Sequence, residues 1–151
     1  MKKISFLIFV SVLLLCITSC KKKVYRIYNV GEEKEFIDQI YKYIDNNEEY
    51  CLIDVRDLET EYAIGHFKGF INYNIGKGST EEFVYKVKSM YSKEKAIFII
   101  DKDGSKVETL MEVLKEEGYP KIYVYLGGYS ILEQNNNNDF IIVTGTDDCG
   151  C

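Results

Sequence analysis

The chain has 151 residues, a formal net charge of −5, five cysteines and no tryptophan. That length suffices for one domain with a sizeable core and excludes two of ordinary size. An acidic balance with no basic stripe in the body of the chain excludes a phosphate-backbone binder, so no nucleic-acid partner is expected. Of the five cysteines, Cys16 and Cys20 fall in or at the end of an N-terminal leader. The remaining Cys51, Cys149 and Cys151 are too few to frame a fold by disulfides, so the apolar core must carry it.

Lys2 and Lys3 precede an apolar run from Ile4 to Ile17. The run is too short to span a bilayer and reads as a signal peptide over 1–19. It ends in Ile17-Thr18-Ser19-Cys20, which resembles the lipobox of bacterial lipoproteins. The resemblance implies that Cys20 is lipidated and becomes the first mature residue, on the membrane of a bacterial cell envelope. Acyl chains hold a protein there at ~0.8 kcal/mol per buried methylene. Lys21, Lys22 and Lys23 would lie at the headgroups, a basic linker over 20–23. Removing Lys2 and Lys3 with the signal leaves 17 basic against 24 acidic residues, a net charge of −7.

The domain is expected over 24–143. Val24 to Val30 reads as a first strand, and Glu32 to about Asp45 as a helix with Phe36, Ile37, Ile40, Tyr41 and Ile44 on one face. Asn46-Asn47 ends it. Cys51-Leu52-Ile53 is a short buried strand running into Asp54-Val55-Arg56, and Asp57 to Ile64 forms one or two helical turns stopped by Gly65. Phe70 to Tyr73 is a further strand, and Gly76-Lys77-Gly78 a loop. Ser79 with Glu82 predicts a capping box before a helix with Phe83, Val84, Val87 and Met90 on one apolar face. Ala96 to Ile100 is an apolar run suited to a strand covered on both faces. Asp101 to Lys106 follows as a tight polar loop. Ser105 with Glu108 predicts a second capping box, opening a helix that buries Val107, Leu110, Met111 and Leu114 and ends near Gly118. Lys121 to Leu126 reads as a strand, Gly127-Gly128 to Glu133 as a turn and short helix, Asn135 to Asn138 as a polar linker, Phe140 to Val143 as an edge strand, and 144–151 as a loose tail. Strands alternating with helices predict a single α/β domain, a mostly parallel sheet of about five strands with helices on both faces.

Leu52-Ile53-Asp54-Val55-Arg56, Glu61-Tyr62 and Gly65-His66-Phe67-Lys68-Gly69-Phe70-Ile71-Asn72 together resemble the opening signature of the rhodanese-like domain. That family ends a strand in Asp-Val-Arg, follows with Glu-Tyr or Glu-Phe, and continues as Gly-His-Ile-x-Gly-Ala-x-Asn. The second half agrees: a buried strand, a six-residue loop and helix, Gly118-Tyr119, a strand and Gly127-Gly128. The resemblance covers roughly 24–143. It implies an active-site-like loop whose amides, at a helix N-terminus, favour a nucleophilic cysteine thiolate that carries sulfane sulfur as a persulfide. The family's Cys-x-x-Gly-x-Arg lines up with Asp101-Lys102-Asp103-Gly104-Ser105-Lys106, so Asp101 stands at the nucleophile position. A carboxylate accepts the same amide hydrogen bonds but forms no persulfide, and Asp103 adds a second charge that repels thiosulfate. The expected function is therefore a binding or regulatory module, degenerate as a sulfurtransferase, for a protein or small-molecule partner, without cofactor or metal. The family often carries Trp near Leu132, so packing there differs.

Other readings use the same residues. Asp101-Lys102-Asp103-Gly104-Ser105 resembles the first motif of haloacid-dehalogenase-type phosphohydrolases, which use magnesium, and Asp147-Asp148 would supply a later acidic motif. That motif opens its own family's domain, however, and only 48 residues follow Asp103 here. Asp101, Asp103, Ser105 and Glu112 fall at calcium-loop positions one, three, five and twelve, but Lys106 takes the place of the glycine needed at six. Asp54, Arg56, Glu61, Gly65 and His66 are expected to brace the turns. Cys51 is expected to be a small buried core residue. Cys149-Gly150-Cys151 is either an unremarkable pair of tail thiols or a redox site; two thiolates make an incomplete zinc site.

Overall fold

The computed structural model describes residues 22–75 and 78–146. The signal peptide, Cys20, Gly76-Lys77, Asp147-Asp148 and Cys149 with Cys151 lie outside the described residues. In chain order the elements are β1 (Val24–Tyr28), α1 (Glu33–Asp45), β2 (Tyr50–Asp54), a π-helical turn (Leu58–Tyr62), β3 (His66–Phe67) and β4 (Phe70–Asn72). These are followed by α2 (Thr80–Met90), β5 (Ala96–Ile100), α3 (Val107–Glu116), β6 (Lys121–Tyr125), α4 (Gly128–Gln134) and β7 (Ile142–Val143). Among the described residues no helix is long and apolar enough to cross a membrane.

Five strands form one sheet in the order β1-β6-β5-β2-β4, with every neighbouring pair parallel. Period-two alternation divides the apolar residues between its faces. Cys51, Ile53, Ile97, Ile99, Ile122 and Val124 point one way, against Phe83 and Val87 of α2 and Val107, Leu110, Met111 and Leu114 of α3. Leu52, Ala96, Phe98, Ile100, Tyr123 and Tyr125 point the other way, against Phe36, Ile37, Ile40 and Tyr43 of α1 and Tyr129 and Leu132 of α4. All five residues of β5 are buried, because that strand is central and covered twice. Cys51 is fully buried.

Four expectations need correction. Met90, expected on the apolar face of α2 with Phe83 and Val87, is exposed, its Sδ accepting from the Tyr73 hydroxyl at 2.9 Å. In α1 the buried tyrosine is Tyr43, whereas Tyr41 and Ile44 are exposed. The apolar stripe turns inward at Tyr43 because its ring packs edge-on against Phe98 and its hydroxyl meets that of Tyr123 at 2.9 Å. Phe140 to Val143 is not an edge of the main sheet. Ile142–Val143 pairs antiparallel with His66–Phe67 in a separate ribbon, and Phe140 stacks near Phe67 with ring centroids 4.8 Å apart. Finally, α3 is not capped by Ser105: its N-cap is Lys106, which makes no side-chain cap bond. The Ser79 cap does form, its hydroxyl accepting from the Glu82 N–H at 3.3 Å.

Candidate functional site

Because the strands are parallel, the loops after β2, β4, β5 and β6 gather at one end of the sheet, where open α/β folds place their sites. The loop after β5 is built around its first residue. The Asp101 side chain is 2% exposed and turns back under the loop, one oxygen accepting from the Gly104 N–H and the other from the Lys106 N–H at 2.7 Å. Asp103 accepts from the Ser105 N–H at 3.1 Å. Asp103 thus takes the Ser105 N–H that Glu108 was expected to satisfy in the box, and Asp101 holds the amides on either side of Ser105. Burial pushes the Asp101 carboxyl up, the amides of Lys106 and Gly104 pull it down, and Asp103 pushes it up again. Hydrogen bonds from Ser105 hold the Asp103 carboxyl below its usual range.

Gly104 has φ +86°, and a Cβ there would lie 1.7 Å from the Leu126 carbonyl oxygen. Gly128, at φ +61°, would place a Cβ 2.4 Å from the Asp103 nitrogen. The loop therefore lies flat against the β6–α4 turn, closer than any side chain allows. Two of its carbonyls serve α4: Asp101 accepts from the Tyr129 N–H at 2.7 Å and Lys102 from the Ser130 N–H at 3.2 Å. Lys102 and Lys106 are exposed.

The wall beside the loop comes from the segment after β2. Asp54 is fully buried and Arg56 is 6% exposed. The Arg56 Nε donates to both Asp54 oxygens at 3.0 and 2.9 Å, and Nη2 donates to Asp54 at 2.7 Å and to the Gly65 carbonyl at 2.9 Å. Burial pushes the Asp54 carboxyl up against the opposing pull of Arg56. The guanidinium lies 3.4 Å from the centroid of the Tyr129 ring, so this one side chain joins the β2 end, the turn at Gly65 and α4. His66 is buried, stacks on Tyr62 at 3.7 Å, and its Nδ1 lies 3.0 Å from the Tyr62 carbonyl oxygen. Glu61 reaches over the loop to pair with Lys102 at 2.7 Å, and that ammonium holds its carboxyl below the usual range.

The structure thus brings together Asp54, Arg56, Glu61, Gly65 and His66 as one wall, with 101–106 as the floor. Sequence reasoning missed Tyr129 and the Glu61–Lys102 pair. Neither has a local signal, since the partners are 73 and 41 positions apart. Glu112, which calcium-loop spacing requires, pairs with Lys115 on the outside of α3 at 2.7 Å. Among the described residues no three His, Cys, Asp or Glu side chains are grouped to hold a metal ion. A hollow of about 200 Å³ opens beside the loop, lined in part by Gly78, Thr80, Ser105, Lys106 and Thr109.

Solved structures with the same fold include the Alr3790 protein from Anabaena (TM-score 0.58, 18% identity, covering 74% of this chain and 80% of that one). A full-length protein from Lactobacillus plantarum matches at TM-score 0.56 and 15% identity, over 95% of this chain and 99% of its own. CoADR-RHD of Bacillus anthracis matches at TM-score 0.53 and 24% identity, over 70% of this chain but 17% of that much longer one. No match was found among the curated proteins. The rhodanese-like domain family model matches residues 36–135, from the first buried aromatic of α1 to the end of α4 and across both the wall and the loop, so this chain belongs to the rhodanese-like domain family.

Proposed function

We propose that this is a lipid-anchored rhodanese-like domain of a bacterial envelope that binds or regulates rather than transferring sulfur. The observation that carries the reading is the Asp101 carboxylate lying across the loop amides of Gly104 and Lys106. A persulfide-carrying rhodanese needs a thiolate at that point, and a carboxylate has no sulfur to be attacked. Its two oxygens already occupy the donors that would hold an incoming anion, and Asp103 adds charge of the same sign. The loop is thus filled by its own side chain. Its outward features, Lys102, Lys106 and the Glu61–Lys102 pair, are what a protein or small-molecule partner meets. The lipobox-like Ile17-Thr18-Ser19-Cys20 supports attachment through Cys20.

The test is thiosulfate-to-cyanide sulfur transfer by the wild-type chain beside Asp101→Cys. The expected result is a silent wild type and a variant that gains activity, since the cradle for a thiolate is otherwise in place. Transfer by the wild type would overturn the reading and direct attention to Cys149 and Cys151.

A further inference from the structure

The parallel sheet gives the domain two chemically different ends. The loop 101–106 lies at the carboxyl end of the strands. The chain enters at the other: the Val24 N–H donates to the Pro120 carbonyl at 2.7 Å, fixing the start of β1 at the amino end of β6. Only three residues separate Cys20 from Val24, so a lipidated Cys20 lies within about 14 Å of that end even if the link is fully extended. Five residues of strand place the two ends about 16 Å apart before the loops are added.

The amino end also has the composition of a surface that meets headgroups. Lysines outnumber acids there although the chain as a whole is acidic. Lys22, Lys23, Lys42 and Lys93 are exposed, and Lys95 is half-buried over the Tyr91 ring. Two of the local acids, Glu48 and Glu117, are held in ion pairs with Lys121 and Lys88. Two large apolar side chains are exposed at the ends of the helices that run toward this end, Ile44 of α1 at 43% exposure and Met90 of α2 at 59%. Exposed apolar side chains together with lysines suit the boundary between headgroup and acyl chain.

We infer that the domain stands on an anionic bilayer through the amino ends of its strands, with Ile44, Met90 and the lysines of that end at the headgroups. The loop 101–106 and the Glu61–Lys102 pair then face away from the membrane and receive a partner from the aqueous side. This orientation rests on the proposed anchor at Cys20.

The test uses the full lipidated chain in vesicles of phosphatidylcholine and phosphatidylglycerol containing a headgroup-nitroxide lipid. Bimane is attached at Met90→Cys, or in a second variant at Ile44→Cys, and compared with Glu59→Cys at the opposite end, with Cys149 and Cys151 replaced by Ser. The expected result is at least three-fold stronger quenching at 90 and 44 than at 59. Equal quenching, or stronger quenching at 59, on a chain that floats with the vesicles overturns the orientation alone. A chain that does not float, with Cys20 unmodified by mass spectrometry, overturns the anchor and the orientation with it.

Discussion

Replacing Arg56 by Met should be among the most damaging single changes in the domain. Arg56 neutralises a fully buried Asp54, holds the Gly65 carbonyl and covers the face of Tyr129. Methionine fills much of the same volume, so the main loss is electrostatic. Leaving a buried carboxylate without its partner costs about 3–5 kcal/mol, and the contact with Tyr129 contributes on the order of 1 kcal/mol more. Against a total stability of about 5–15 kcal/mol, a loss near 4 kcal/mol is large and corresponds to a melting temperature lowered by roughly 12 °C. The loss should also depend on pH. Burial already pushes the Asp54 carboxyl up, and Arg56 is what holds it down. Without Arg56 the folded chain binds that proton more tightly than the unfolded chain, so the variant's deficit shrinks as pH falls and grows as pH rises through the raised value. Urea unfolding followed by far-ultraviolet circular dichroism measures this in a chain without tryptophan. The double variant Asp54→Asn/Arg56→Met should lie closer to wild type than Arg56→Met alone. A deficit under about 1 kcal/mol, unchanged between acid and neutral pH, would refute the reasoning.

Two further outcomes follow from the loop. Gly104→Ala places a Cβ 1.7 Å from the Leu126 carbonyl oxygen at φ +86°, and thermal unfolding should show a loss of about 3 kcal/mol or more from strain and overpacking together. For Asp101, burial raises the folded carboxyl above its ordinary value. Its contribution to stability is therefore full below the ordinary carboxylate range and is lost as pH rises through the raised value. Melting temperatures taken from about pH 4 upward should show that decline in wild type and a flatter curve in Asp101→Asn; parallel curves would contradict it.

The alternation of Cys51-Leu52-Ile53, the uninterrupted run 96–100 and the helical spacing of Val107, Leu110, Met111 and Leu114 were enough to read the layers and the strand–helix order. They are local patterns, and local pattern reports which face of an element is apolar. Gly104 was legible as a loop glycine, but its reason, the Leu126 carbonyl against it, came from the β6–α4 turn packed alongside. The Ser105–Glu108 cap illustrates the limit. Both residues were suitable by spacing, yet the helix starts one residue later at Lys106 and the Ser105 N–H goes to Asp103, in a loop that Asp101 holds from below and that the β6–α4 turn presses flat. Tyr43 displaced Tyr41 and Ile44 from the core for a similar reason, since Phe98 and Tyr123 supply partners that helical periodicity cannot see.

By itself the sequence determined the α/β class, the buried central strand, the position of the loop and the identity of its first residue, because each depends on residue type and spacing along one segment. Tertiary structure alone decided the strand order β1-β6-β5-β2-β4, the ribbon of β3 with β7, the Arg56–Tyr129 contact and the Glu61–Lys102 pair. Those depend on which distant segments share a face, and contacts between separate segments are fixed by packing the whole sheet rather than by any stretch of chain.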